Sequence, residues 1–305
     1  MNLRFSASQA SKYHNCHASA NLEEAIPGWS FKKKERAQAR DAGTAQHEVF
    51  ENLLLHSVDR LAAAYLLREL ADVRGKARTK LIKDQREFLI WWFMKEQSAP
   101  PIEHEYLRKL IIDLPAKDGE GMVEFSTPPI SIRFLADAVE YVHSLLQDPD
   151  AELLTEETVS ADWLVTKPNT TVDVLVRVGS KLYVIDLKTG TTPVDAVENE
   201  QLLYYAACFW KGEAEITLVI IQPKNLSEWN ITYDQLARWM GEVQASEAAI
   251  LAGDVTFTPG NHCTFCPANP QGRGDKGWPF CPVRIELLYG PQDDTESDEL
   301  VLLDD

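Results

Sequence analysis

The sequence lacks several features that would each assign it to a class of protein. Its longest apolar runs fall short of the ~18 residues of a membrane-spanning helix, so we expect no transmembrane segment. No glycine-rich loop ends in Gly-Lys-Ser/Thr, which argues against an ATP-driven motor within this chain. The segment "HEVFE" lacks the second histidine of H-E-x-x-H, which argues against a zinc metallohydrolase.

The sequence also lacks a secretion signal and contains few cysteines. The first residues have no apolar core followed by a small-residue cleavage site, so we expect a cytoplasmic protein. The chain of 305 residues has five cysteines. An odd number of cysteines in a cytoplasmic chain argues against a disulfide framework and leaves metal binding open.

Acidic residues outnumber basic residues, and the resulting net charge of −17 is unfavourable for binding nucleic acid. Residues 291–305 carry seven acids and no base, so the remainder of the chain has a charge of −10. Basic runs at 32–40 and 74–86 would permit DNA binding, although ordinary solvated helix faces look the same. We expect the acidic tail to be a disordered, solubilising end; a sharper hypothesis is a DNA mimic that occupies a basic groove.

The apolar pattern predicts an α/β protein. Residues recur at helical spacing through most of the first half, and strand-like segments then give way to alternating helix and strand. The helices are predicted at 35–57, 61–70, 86–97, 132–147, 196–210 and 233–253, and the strands at 151–159, 171–178, 181–188 and 214–223. Residues 258–284 are rich in proline, glycine and cysteine, and we expect them to form an irregular loop that needs a metal to hold its shape.

Charged residues interrupt two of the predicted strands. In "TVDVLVRVGSKLYVIDLKTG" an antiparallel hairpin would bring Asp173 beside Asp186, and the period of two puts Asp186 and Lys188 on one face. Alone, Asp186 and Lys188 would be an ordinary salt bridge. With Glu156 or Glu157 on the preceding strand, they form a set of oxygen ligands suited to one or two Mg²⁺ or Mn²⁺ ions.

Two helical segments supply further polar residues. "GTAQHEVFE" contains His47, which alone would be a solvated or capping histidine. "ENEQLLYYA" contains Gln201 and Tyr205, which are four apart and would otherwise be a helix-face pair.

In order and spacing, these segments resemble the RecB-like branch of the PD-(D/E)xK nucleases. The resemblance implies a restriction-endonuclease-like core, in which a mixed central sheet is flanked by helices. One departure is visible, because Thr170 or Thr171 stands where a glycine is usual before the first aspartate. The resemblance implies four metal ligands: His47, Asp173, Asp186 and the carbonyl of Leu187. It implies that the catalytic residues are Lys188, Asp186, Asp173 and Glu156. It also implies that DNA is positioned by Gln201 and Tyr205.

Four of the cysteines suggest a second metal site. Cys263 and Cys266 form a C-x₂-C pair, Cys281 follows 15 residues later, and Cys16 lies near the N-terminus. This arrangement resembles the iron–sulfur members of the RecB-like nucleases, including CRISPR-associated and phage relatives, and implies a [4Fe–4S] cluster that joins the two ends of the chain. A structural zinc is the alternative, with His14, His17 or His262 as substitute ligands. Cys208 reads as a packed core residue.

These expectations divide the chain into four parts. They are an N-terminal region with Cys16, the His47 helix and a helical subdomain (1–150), the nuclease core (151–255), a cysteine-rich cluster-binding segment (256–290) and the acidic tail (291–305). The expected function is metal-dependent exonuclease activity on DNA in phage or bacterial recombination or repair. The alternatives are an endonuclease of the same family and a catalytically silent DNA-binding or scaffold protein. The tail is a candidate contact for a recombination or single-strand-binding partner.

Overall fold

The computed structural model describes residues 5–20, 132–190 and 192–266, together with residues 47, 50, 51, 53–55, 60, 61, 64, 281 and 283. The α-helices with complete bounds are α1 (Ala7–Asn15), α2 (Ile132–Leu145), α3 (Glu200–Phe209) and α4 (Tyr233–Leu251). The strands are β1 (Glu152–Ser160), β2 (Asn169–Val178), β3 (Lys181–Leu187), β4 (Glu215–Gln222) and β5 (Asn225–Ile231), and a 3₁₀ helix covers Asn261–Phe265. His47, Phe50, Glu51 and Leu53–Leu55 are helical as well.

The five strands form one mixed sheet in the order β1-β2-β3-β4-β5. Only β3 and β4 run parallel, because α3 connects them as a crossover; the other neighbours are antiparallel. Two register pairs locate the site described below: Val174 lies opposite Ile185, and Leu187 lies beside Ile221. The prediction of an α/β protein with a mixed sheet flanked by helices is confirmed.

Alternation along the strands builds two hydrophobic cores. Val174, Val176 and Ile185 pack on one side with α2 and with Phe50 and Leu53, which are both buried. The intervening strand residues pack on the other side with α1, α3 and α4; they are Leu175, Leu182, Val184, Ile216, Leu218 and Ile220. Burying each such side chain contributes about 1.5–3 kcal/mol, so the central strands are fixed from both faces.

Local hydrogen bonds fix where the helices near the site begin. The Asn199 side chain accepts from the backbone N–H groups of Gln201 and Leu202, which places Gln201 in the first turn of α3. The predicted helix from residue 196 therefore begins four residues later. Thr232 and Gln235 form a capping box that begins α4.

Three elements were not predicted from the sequence: β5, α1 and the 3₁₀ helix, which lies in a segment expected to be an irregular loop. Strand β5 carries Asn, Ser and Glu, which are depleted in strands, and it lies at the edge of the sheet. Helix α1 buries Ala7, Ala10 and Tyr13, a weak apolar stripe among polar residues. The predicted helix at 86–97 and the acidic tail lie outside the described residues. None of the helices that the structure describes is both long and apolar enough to cross a membrane.

Candidate metal centre

The charged side chains meet at the end of the sheet where β3 ends. Beyond the Val174–Ile185 pair, the next residues of the two strands are Asp173 and Asp186. Because Thr155 lies opposite Val174, Glu156 is the next residue on β1. Three adjacent strands therefore bring three carboxylates to the same end of the sheet.

His47 reaches this place from its own helix. Its Nδ1 atom lies 3.4 Å from Asp173 Oδ1 and 3.7 Å from Glu156 Oε1. His47, Glu156 and Asp173 each offer a ligand atom within 4.8 Å of the others, a spacing that could hold a metal ion. We call these three residues the metal site.

The other ring nitrogen of His47 is held by the sheet. Nε2 lies 3.0 Å from the carbonyl oxygen of Leu187, to which it donates. In the neutral imidazole this bond fixes the proton on Nε2 and leaves the Nδ1 lone pair for a metal. Leu187 thus orients His47 in this structure, and its N–H also donates to Asp173 Oδ2 at 2.8 Å.

Asp186 and Lys188 begin a chain of polar contacts beside the metal site. Lys188 Nζ lies 2.8 Å from Asp186 Oδ2 and donates to Gln201 Oε1 at 2.9 Å. Gln201 Nε2 in turn donates to the hydroxyl of Tyr205 at 2.7 Å. The four residues predicted from two separate motifs therefore form one continuous network.

The pKa values in this region reflect an excess of negative charge. Although burial favours the neutral imidazole, the carboxylates of Asp173 and Glu156 raise the pKa of His47 to about 10. Burial and the neighbouring Asp173 raise the pKa of Asp186, and Lys188 only partly opposes them. A cation bound here would compensate the carboxylates and displace the imidazole proton.

Glu156 has an unusual backbone. Its φ is 47°, in the left-handed region, whereas Thr155 and Glu157 on either side are regularly paired with β2. Such a conformation in a non-glycine residue costs about 1–3 kcal/mol and is typical of functional sites. The Glu156 side chain is half-buried at the metal site, whereas Glu157 is exposed.

The donor set can be compared with the needs of candidate ions. Carboxylate oxygens suit Mg²⁺ and Mn²⁺, and imidazole is a ligand that first-row transition metals accept readily. Two carboxylates and one imidazole therefore fit Mn²⁺ or Mg²⁺, with the histidine favouring Mn²⁺. Asp186, next to Asp173, is available as a further oxygen ligand.

Three of the cysteines, Cys16, Cys263 and Cys266, lie where α1 and the 3₁₀ helix meet. Cys16 is buried directly after α1, and Cys263 and Cys266 lie in and after the 3₁₀ helix, which contacts α1. Cys16 Sγ lies 3.9 Å from the carbonyl oxygen of Thr256. None of the five cysteines forms a disulfide. Three histidines near these cysteines each have one ring nitrogen in a hydrogen bond: His14 with Ser246, His17 with Asp254 and His262 with Thr258.

Comparison with known proteins identifies the family but assigns no activity. A family described as "Protein of unknown function (DUF2800)" matches residues 3–276. The chain belongs to the DUF2800 family. No curated protein matches it.

One solved structure similar to this DUF2800 protein is described as "Crystal structure of SSO0001". The similarity covers 66% of this chain and 91% of that chain, at 15% identity and a TM-score of 0.24. So loose a superposition defines neither the fold nor the activity.

Two polar contacts near the site were missed in the sequence. Thr155 Oγ1 donates to Glu51 Oε1 at 3.2 Å, which ties the His47 helix to β1. Glu51 lies four residues after His47, a spacing that puts both on one helix face and could have indicated this role. Gln222 is buried beside the loop that follows Lys188. The only indication of this role in the sequence is that Gln222 is a polar residue at the end of the apolar run "ITLVIIQ".

Proposed function

We propose that this protein is a divalent-metal-dependent deoxyribonuclease, an exonuclease of the RecB-like branch of the PD-(D/E)xK nucleases. The observation that carries the proposal is the convergence of His47, Glu156 and Asp173 within 4.8 Å, beside the Asp186–Lys188 pair. The site groups three carboxylates, those of Glu156, Asp173 and Asp186, around one histidine and one lysine, and a metal ion would favour their charged forms. The proposed role is in phage or bacterial DNA recombination or repair.

The metal site would hold Mn²⁺ or Mg²⁺ through His47, Glu156 and Asp173, with Asp186 adjacent. The ion, when bound, would supply Lewis acidity toward the scissile phosphate and lower the pKa of the attacking water. Water adds to phosphorus, the bond from phosphorus to the leaving ester oxygen breaks, and that oxygen takes a proton. The products are a phosphate monoester and a hydroxyl group.

Lys188 is the residue best suited to stabilise the developing negative charge. An ammonium has three N–H donors, and contacts with Asp186 and Gln201 account for two of them. The third can donate to a phosphate oxygen or orient the attacking water. Because both partners fix the direction of the side chain, the ammonium is preorganised before substrate binds.

Gln201 and Tyr205 would position the DNA strand. The Tyr205 hydroxyl accepts from Gln201, so its own O–H can donate to a phosphate or sugar oxygen. Burial and the nearby Asp186 raise the pKa of Tyr205, which keeps the hydroxyl protonated as a donor.

A [4Fe–4S] cluster on Cys16, Cys263, Cys266 and Cys281 is the proposed second cofactor, with structural zinc as the alternative. The meeting of the two chain ends supports it, because Ala18 N–H donates to the carbonyl of Thr256 at 3.1 Å. Iron and sulfide analysis of anaerobically purified protein, with a visible absorbance lost on reduction, would support the cluster. Stoichiometric zinc without iron would exclude it.

The nuclease proposal is tested with end-labelled linear duplex and single-stranded DNA, in Mn²⁺ or Mg²⁺, using protein purified without oxygen. We expect metal-dependent release of the label, and a loss of roughly 100- to 1,000-fold in Lys188→Ala. The matched control is Lys181→Ala. Lys181 begins β3, the strand that ends just before Lys188, and it also pairs with a carboxylate at 2.8 Å. It is half-exposed and lies at the other end of this strand from the metal site, so activity should persist.

Other outcomes would redirect the proposal. Cutting of covalently closed circular DNA would make the enzyme an endonuclease of the same family. DNA binding without cleavage by a folded, metal-loaded protein would overturn the nuclease and favour the silent DNA-binding alternative.

A further inference from the structure

A buried glutamine lies beside the loop that leaves the proposed catalytic lysine. Gln222 is the last residue of β4 and is 4% exposed. The residue before it, Ile221, pairs with Leu187, and its carbonyl accepts from the backbone N–H of Lys188 at 2.9 Å. Gln222 therefore stands next to the chain as it departs from the sheet. We call residues 188–199, which link β3 to α3, the lysine loop.

The Gln222 amide is occupied almost entirely by the backbone of this loop. Its Nε2 atom donates to the carbonyls of Gly190 at 2.6 Å and Thr192 at 2.7 Å. Its Oε1 atom accepts from the N–H of Val194 at 3.0 Å. Two carbonyls need donors and one N–H needs an acceptor, so these partners also determine which way the amide is turned.

Neighbouring residues of β5 hold the second half of the lysine loop. Asn225 donates to the carbonyl of Val194 at 2.9 Å, and Ser227 Oγ accepts from the N–H of Ala196 at 3.0 Å. The loop then reaches Asn199, which caps α3. The lysine loop is thus attached to the β4–β5 hairpin along its described length.

The two ends of this loop carry partners that meet. Lys188 begins the loop and Gln201 follows its end, and their side chains are joined at 2.9 Å. A shift of the loop would change this separation, because both attachment points would move. Lysine has a long side chain with many rotamers, so its direction depends on fixed partners.

We propose that Gln222 is a positioning residue, whose amide fixes the lysine loop and thereby holds Lys188 between Asp186 and Gln201. The inference rests on the proposed function, because Lys188 is taken as the group that stabilises the transition state. Gln222 acts through the loop. Displacing a transition-state contact by about 1 Å can lower the rate roughly 100-fold.

The test compares Gln222→Leu with Thr217→Val. Thr217 lies on the same strand, is 7% exposed and donates to Asn230 at 2.8 Å, but it is beside Tyr183, far from the loop. Gln222→Leu loses three hydrogen bonds to the loop, whereas Thr217→Val loses one hydrogen bond between β4 and β5 and serves as the control for losing a polar contact on the same strand. We expect Gln222→Leu to lower kcat roughly 10- to 100-fold with KM within about two-fold, and Thr217→Val to keep both.

A second variant and a second measurement keep the inference testable if Gln222→Leu folds poorly. Asn225→Ala loosens the same loop from a less buried position, and we expect a kcat loss of a few-fold, about 2- to 5-fold. Hydrogen exchange of the Val194 amide should accelerate in Gln222→Leu and stay unchanged in Thr217→Val. The exchange measurement needs no nuclease activity.

The outcomes separate this inference from the proposed function. An active wild type with the same kcat in Gln222→Leu and Thr217→Val would overturn the positioning role. A wild type that cleaves no DNA would instead overturn the proposed function. In that case unchanged Val194 exchange in Gln222→Leu would show that Gln222 does not hold the loop either.

Discussion

Strand β2 carries one charged group near its middle and another near its end, and the two groups differ in how their charges are compensated. Asp173 belongs to the metal site, and Arg177, four residues later and about 13 Å away along the strand, belongs to a second network. Arg177 donates to Glu213 at 2.8 Å, to Glu152 at 3.0 Å and to the carbonyl of Phe209 at 2.7 Å. Each guanidinium nitrogen therefore has an acceptor.

The buried carboxylates of the two networks, Glu213 and Asp186, have pKa values shifted in opposite directions. Burial would raise the pKa of Glu213, but the backbone N–H of Lys211 and the guanidinium of Arg177 lower it. Burial and Asp173 together raise the pKa of Asp186 despite the nearby Lys188. The Arg177 network favours the charged form of its buried carboxylate, whereas burial and Asp173 disfavour the charged form of Asp186, which a bound cation would favour. This difference separates a structural ion pair from a candidate active site.

The comparison predicts the largest effect for Asp173→Asn. Asparagine keeps an acceptor for the Leu187 N–H but removes a charged ligand, so we expect activity to fall roughly 100-fold or more. The melting temperature of the wild type should rise on adding Mn²⁺, since a ligand that binds only the folded state stabilises it. Asp173→Asn should lose this rise.

The control for that prediction is Asp162→Asn. Asp162 pairs with Lys167 at 3.5 Å and is largely exposed, so its removal deletes a carboxylate outside the metal site. An Mn²⁺-induced shift that survives in Asp173→Asn would contradict the assignment of the metal site.

Arg177→Met should show the converse behaviour. Removing one partner of a buried ion pair leaves Glu213 uncompensated, which costs about 3–5 kcal/mol in the free energy of unfolding. Urea unfolding measures this loss. The folded fraction should retain the Mn²⁺-induced shift and the wild-type kcat, because no ligand or loop contact changes.

A double variant sharpens this prediction. Arg177→Met combined with Glu213→Gln should recover part of the lost stability, since the buried carboxylate is then neutral and the remaining partner, Glu152, is exposed. A loss of Mn²⁺ binding in Arg177→Met, with stability preserved, would show that the Arg177 network and the metal site are not independent.

The strand part of the candidate site follows from the sequence. Alternation and hairpin length suffice to align Asp173 with Asp186, and the same period puts Lys188 beside Asp186. The choice between Glu156 and Glu157 was left open by alternation, and only the structure distinguishes them. The left-handed backbone of Glu156 has no sequence signal, because it occurs in an otherwise regular strand.

Contacts between distant segments could not be predicted by periodicity. His47 lies 140 residues before Leu187, and only the resemblance connected the two. The role of Gln222 depends on where the lysine loop folds back, which no local pattern encodes. Strand β5 was missed because Asn225, Ser227 and Glu228 lie on an edge, where pairing rather than propensity forms the strand.

The carboxylate of Asp254, near the surface, gives the smallest expected effect, which is tested by varying the pH. Asp254 accepts from Thr256 Oγ1 at 2.6 Å and lies 2.8 Å from His17 Nδ1, and these contacts lower its pKa from 3.8 to about 2. A carboxyl whose pKa is lowered by folding stabilises the protein above its ordinary pKa and loses that effect as pH falls through the lowered value. Asp254→Asn should therefore be slightly less stable than the wild type at neutral pH. Urea unfolding should show this gap narrowing as the pH falls from about 4 toward 2, and a gap independent of pH would contradict it.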